Sequence, residues 1–242
     1  MSERPQKSPA FPETRWSLVV ATRGDDTRAL RAMDEFCRGY WYPVFAFARQ
    51  TGLSPADAED VTQGFFAMVL SKEMTSAVSP DAGKLRSYLI AALKNFIGNQ
   101  HRRSRAKKRG GGLRIVSIDA EEAEGRYQSE LSSGENPETA FVRRWAIALL
   151  DSALGRLERE YERRDNAATF VELVPLLVDC ERGKSFKEAA RALGVSEAAV
   201  RVAVFRLRKR YRALVREEVS ETVADPAEID GEINALFAAL QR

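Results

Sequence analysis

Ser185-Phe-Lys-Glu188-Ala-Ala-Arg-Ala-Leu-Gly194-Val-Ser196-Glu-Ala-Ala-Val200-Arg-Val-Ala-Val204-Phe-Arg-Leu-Arg-Lys-Arg-Tyr-Arg212 is the stretch whose reading decides the fold. Ser185 with Glu188 three positions on is a capping-box pair, so a helix starts there. Gly194 can take the left-handed conformation that ends this short helix. Ser196 can then cap a second, longer one. Two helices joined by a three-to-four-residue turn containing Gly make a helix-turn-helix. Such a unit commonly lays its second helix in the major groove of DNA. Val200, Val204, Leu207 and Tyr211 recur at helical spacing and are expected to face a core. Glu197, Arg201, Val202, Phe205, Arg206 and Arg208 fall largely off that stripe. Taken alone, they fit either a groove-facing surface or the solvated side of a small bundle helix.

Upstream, Phe170, Leu173, Val174 and Leu177 mark one helix. Asn136-Pro137 starts another, with Val142, Trp145, Leu149, Leu154 and Leu157 as its apolar stripe. From Ile118 to Glu138 the composition turns acidic and polar, which reads as an interdomain linker. Before it, a long helix is expected from near Lys84 through Leu89, Leu93, Phe96 and Ile97. Its end carries Arg102, Arg103, Arg105, Lys107, Lys108 and Arg109 without an intervening acid, until three glycines stop regular structure. Tyr88, Asn95 and Phe96 lead into that run; cations supply phosphate affinity and aromatic groups hold unstacked bases.

Ser54-Pro55-Ala56-Asp57 is a strong helix start. The helix that follows buries Val61, Phe65, Met68 and Val69 and shows Glu59, Asp60 and Gln63 outward. An earlier helix carries Leu30, Met33, Phe36 and Cys37, and Pro43 is expected to interrupt it after Tyr40-Trp41-Tyr42. A short helix is expected after Thr14. At the other end, Asp225-Pro226 starts a tail helix with Ile229, Ile233, Leu236, Phe237 and Leu240 on one face. Its periodicity predicts packing on the second domain; the sharper alternative is a regulatory flap or partner site.

The expected fold is all-α: two small helical domains joined by a flexible acidic linker, the second containing the helix-turn-helix, plus a C-terminal tail helix. The divisions are a disordered leader at 1–13, a first domain at 14–112, the linker at 113–137, the second domain at 138–220 and the tail at 221–242. The 242 residues carry a net charge of +3, too small to mean much until the charges are located. With two cysteines, Cys37 and Cys180, in no metal-ligand spacing and a single histidine, His101, no zinc site of the chain's own is expected. No apolar run reaches membrane-spanning length, and a cytoplasmic protein is expected. Asp57, Glu59 and Asp60 crowd one helix start, where the helix dipole favours them without catalysis. No catalytic constellation stands out, so no enzyme and no cofactor is expected.

With these features in order, the chain resembles bacterial RNA polymerase sigma factors of the extracytoplasmic-function (ECF) group, over roughly residues 27–109 and 138–217. Ser54 to Phe66 is similar to the segment that docks on the polymerase clamp helices, which implies Glu59, Asp60, Gln63 and Phe66 as polymerase contacts. Gly64 stands where the family usually has an acid. Lys84 to Phe96 with the basic run resembles the minus-ten reader, which implies Tyr88, Asn95, Arg102, Arg103 and Arg105 as DNA contacts. The opening stretch resembles the minus-thirty-five reader, which implies Glu197, Arg201, Val202, Phe205 and Arg206. The segment around Thr14, the triple glycine and the tail resemble a subgroup from planctomycete-like bacteria. The resemblance implies core RNA polymerase and promoter DNA as partners, an anti-sigma protein or regulatory kinase as controller, and no membrane. The competing reading is a stand-alone helix-turn-helix regulator with an effector or dimerisation domain.

Overall fold

A computed structural model describes residues 27–69, 83–104, 120–130, 136–177 and 185–241. The leader, the helix after Thr14, the basic run from Arg105 onward and Cys180 lie outside them. The described residues form nine α-helices: α1 Thr27–Gln50, α2 Pro55–Val69, α3 Leu85–Ser104, α4 Ala120–Ser129, α5 Pro137–Glu162, α6 Ala167–Leu173, α7 Phe186–Leu193, α8 Glu197–Ser220 and α9 Ile229–Leu240. None of these helices is long and apolar enough to cross a membrane. Two units are present, one of residues up to Ala148 with those from Ser220 onward, the other Leu149–Val219.

In the first unit α1 continues past Pro43 instead of ending there. Proline removes one backbone donor and crowds the preceding turn. Tyr40, Trp41, Val44, Phe45 and Phe47 are all buried around it, and their packing carries the helix past that local cost. Helix α2 starts as its sequence predicts: the Asp57 N–H donates to Ser54 Oγ at 3.1 Å, and Ser54 Oγ donates to Asp57 Oδ2 at 2.6 Å.

The first half of α5 also belongs to this unit. Trp145 stacks on Tyr40 with centroids 3.9 Å apart, and Phe141 meets Phe47 edge-on at 6.2 Å. The domain boundary expected at 137/138 therefore falls inside α5, between Ala148 and Leu149.

Part of the expected linker is a docked helix. Ala123 and Tyr127, four residues apart, are the buried side of α4. Charge fastens the rest. The Arg49 guanidinium forks onto Glu124 at 2.7 and 2.8 Å, and Glu130 accepts from the Tyr42 hydroxyl at 2.8 Å and from Arg144 Nε at 3.1 Å. The acidity that suggested a linker is the feature that attaches it.

The Arg49 hydrogen bonds hold the Glu124 carboxyl below its usual range. Burial pushes the Glu130 carboxyl up, but hydrogen bonds from Arg126 and Tyr42 and the charges of Arg126 and Arg144 outweigh it and leave it lowered. Burial and the bond to Glu130 push the Tyr42 phenol up to about 12. A depressed carboxyl stabilises the fold fully above its unfolded pKa and stops doing so as pH falls through the folded one. On acidification below the ordinary value of 4.5, amide exchange in 120–130, corrected for intrinsic rate, is therefore expected to accelerate. Glu124→Gln should produce part of that acceleration at neutral pH. Unchanged protection through the acid range would remove these carboxylates from any fastening role.

The tail helix packs on the first unit, not on the second domain as its periodicity suggested. After α8 ends, the Leu85 N–H donates to Thr222 O at 2.9 Å, and Lys84 and Val223 form an isolated antiparallel bridge. Asp225 Oδ1 then accepts from the Ala227 N–H at 2.8 Å and starts a short 3-10 turn into α9. Glu232 on α9, only 1% exposed, takes a forked bond from Arg86 and lies 3.2 Å from Lys84 Nζ. Ile229, Leu236 and Ala239 are buried beside it. A buried carboxylate needs such cations, and they sit at the start of α3.

The second unit has one core. Leu157, Phe170, Leu173, Leu176, Ala189 and Val200 meet Val204, Leu207 and Leu214. Arg210 forks onto Glu160 at 2.6 and 3.0 Å, which raises the guanidinium pKa and lowers that of Glu160.

Candidate nucleic-acid interface

The helix-turn-helix is built from its own local chemistry. The Ser185 N–H donates to Glu188 Oε2 at 2.7 Å and the Glu188 N–H to Ser185 Oγ at 3.2 Å, closing the first turn of α7 reciprocally. Gly194 adopts φ 65°, ψ 29°, the left-handed conformation that a side chain would strain. The Val195 N–H returns to Ala190 O at 3.1 Å. Ser196 Oγ accepts from the Ala199 N–H at 3.2 Å and starts α8.

Val200, Val204 and Leu207 anchor α8 in the core, and half-buried Tyr211 donates its hydroxyl to Leu150 O at 3.1 Å. With that side held, Glu197, Arg201, Val202, Phe205 and Arg206 all face solvent. Arg201 pairs with Glu197 at 2.6 Å and lies 4.5 Å over the Phe186 ring. Arg208, expected on the outward basic face, instead turns inward and donates to Leu176 O at 2.7 Å. Arg210 is likewise committed to Glu160 and Glu217. Of the cations between 201 and 212, the exposed set is Arg201, Arg206, Lys209 and Arg212.

On α3, Tyr88 and Asn95 stand seven residues apart and so share a face. Tyr88 is half-buried, and burial pushes its phenol up; Asn95 and Ala91 are exposed. Arg102 and Arg103 continue the same helix, and Arg105 lies outside the described residues. A cleft of about 510 Å³ lies between α3, the start of α5 and α9, with Ser87, Ala91 and Lys94 on one wall and Thr139 and Ala238 on others. Lys94 pairs with Glu138 at its edge.

On α2, Asp60 is exposed, and half-buried Glu59 accepts from Gln63 Nε2 at 2.9 Å. Phe66 is 1% exposed, with its ring 5.8 Å from that of Phe65. A side chain so buried has no surface to offer, so the contact expected for Phe66 is corrected to a core position. The glycine in place of an acid also has a local reason. A Cβ on Gly64 would lie 3.1 Å from Phe96 Cζ, so the glycine lets α3 come close to α2. Sequence spacing shows residues on one helix, not what the neighbouring helix presses against them, so the packing reason for Gly64 comes from the structure alone. Among the described residues no cluster of three His, Cys, Asp or Glu could hold a metal ion.

The described residues are helical, and a capped helix-turn-helix with exposed arginines on its second helix is the architecture of a DNA-binding protein. The chain belongs to the ECF sigma factor family, whose model matches residues 49–220, well over half its length. Sigma factors of this family are not enzymes; they work with core RNA polymerase on promoter DNA in transcription initiation. No curated protein and no solved structure matches the chain. The tail from residue 221 lies beyond the matched segment.

Proposed function

We propose that this chain is a dissociable promoter-specificity subunit with three working surfaces on three helices. Glu59, Asp60 and Gln63 on α2 dock on core polymerase. Tyr88, Asn95 and the arginines from 102 engage the minus-ten region and hold bases exposed by melting. Glu197, Arg201, Val202, Phe205 and Arg206 on α8 bind the minus-thirty-five element in duplex form. Opening a few base pairs costs energy, which base capture and polymerase contacts offset together. The observation that carries the reading is the α8 face: an apolar side locks the helix into its unit, and the five outward residues, two arginines among them, are all exposed. On the resemblance of its sequence alone, we also assign the chain to a lineage-specific subgroup of the planctomycete type.

Run-off transcription with purified core polymerase over a genomic template library tests this. Promoter-dependent products are expected only when chain and core are both present. Asp60→Ala with Gln63→Ala should weaken core binding by roughly tenfold or more, the loss of about 1.4 kcal/mol. Full core affinity in that double variant would place docking elsewhere. Sequence-specific duplex binding by the chain alone, with no effect of polymerase, would favour the stand-alone regulator.

A further inference from the structure

Phe205, 69% exposed, is the most exposed large apolar side chain among the described residues, and Val202, three positions earlier, is 51% exposed. Solvating both costs free energy without benefit to this fold, because the opposite side of α8 already fills the core. At 3.6 residues per turn, Ala198, Val202, Phe205 and Lys209 fall within about 60° of one another, on a strip pointing away from that core. Arg206 borders the strip on one side. Arg201 borders it on the other, held there by Glu197 and the Phe186 ring.

A valine and a phenylalanine neither donate nor accept hydrogen bonds, so they cannot read the polar pattern of a base edge. One base presents an apolar group in the major groove of unmodified DNA, the 5-methyl of thymine. Cations on both borders suit the phosphates either side of a groove, and phosphate contacts position a helix without selecting sequence. We propose that Val202 and Phe205 are specificity-determining residues that select thymine in the minus-thirty-five element through its methyl group. This rests on α8 entering duplex DNA as proposed above.

Deoxyuridine isolates the effect, since it lacks only that methyl and keeps every hydrogen-bonding group. Duplexes are first enriched from a random library by the full chain, with and without core polymerase. Each thymine in the enriched element is then replaced by deoxyuridine. At one or more positions wild-type binding is expected to fall about fourfold, the worth of one buried methyl group. Val202→Ala with Phe205→Ala should weaken binding to the thymine duplex and abolish the thymine–uracil difference. Both side chains are exposed, so helix content should not change. Arg206→Ala should weaken thymine and uracil duplexes equally and reduce the salt dependence of both by about one unit of slope. Equal wild-type affinity for the two duplexes, or a thymine preference that survives the double variant, overturns the proposal. Enrichment that is the same with and without polymerase would overturn the sigma reading and leave the methyl test standing. No enriched duplex in either arm would overturn both.

Discussion

Trp145→Ala is expected to destabilise the first unit by about 4 kcal/mol, the usual cost of emptying a buried aromatic site. The indole is fully buried, stacked on Tyr40 at 3.9 Å and close to Phe141 at 5.8 Å. Truncation loses the transfer energy of the ring, the stacking geometry and the packing of two neighbours at once. Domains are stable by only about 5–15 kcal/mol, so much of the margin goes with one side chain. Urea denaturation followed by circular dichroism measures the loss. Amide exchange assigns it: peptides from α1 and the start of α5 should lose protection, and those from 149–219 should keep it. Trp145→Phe retains a stacking ring and should cost less than half as much, since the indole Nε1 has no hydrogen-bond partner among the described residues. A loss below about 1 kcal/mol for Trp145→Ala, or one confined to 149–219, would contradict the assignment of this half-helix to the first unit.

Removing residues 225–242 is expected to lower the thermal midpoint by roughly 10 °C, from a loss on the order of 4 kcal/mol. Ile229 and Leu236 each contribute about 1.5–3 kcal/mol of burial, against which stands the entropy of ordering the helix. The truncation also strips Arg86, 15% exposed, and Lys84 of their carboxylate. Glu232→Ala isolates that electrostatic part and should cost about 2–3 kcal/mol, below the value for a fully buried pair because the cations are partly solvated. Glu232→Gln keeps a hydrogen-bonding group and should recover part of it. Both variants act where α3 begins, so exchange should rise in peptides from 83–90. An unchanged midpoint after truncation would show that the tail contributes nothing to this unit.

The helix-turn-helix was legible in the sequence because its determinants are local. A capping box, a left-handed glycine and a second cap act within a few residues of themselves, and each bond formed as the spacing predicts. The outward set on α8 was legible for the same reason, since helical period sorts faces without knowledge of any neighbour. Arg208 escaped because its partner is the carbonyl of Leu176, 32 residues away. Phe66 escaped because family position marked it as a contact, whereas burial depends on what packs over it.

Sequence by itself determined the all-helical class, the starts of α2, α3, α5, α7 and α8 and the core stripe of α8, because caps and 3.6-residue periodicity are short-range. Only the tertiary structure decided which apolar faces meet. It joined Trp145 to Tyr40, docked acidic α4 through Glu124 and Glu130, and brought the tail back to Arg86 through Glu232. A hydrophobic stripe is non-directional, and an acid does not name its base. Periodicity says that a face will be buried, and the rest of the chain selects against what.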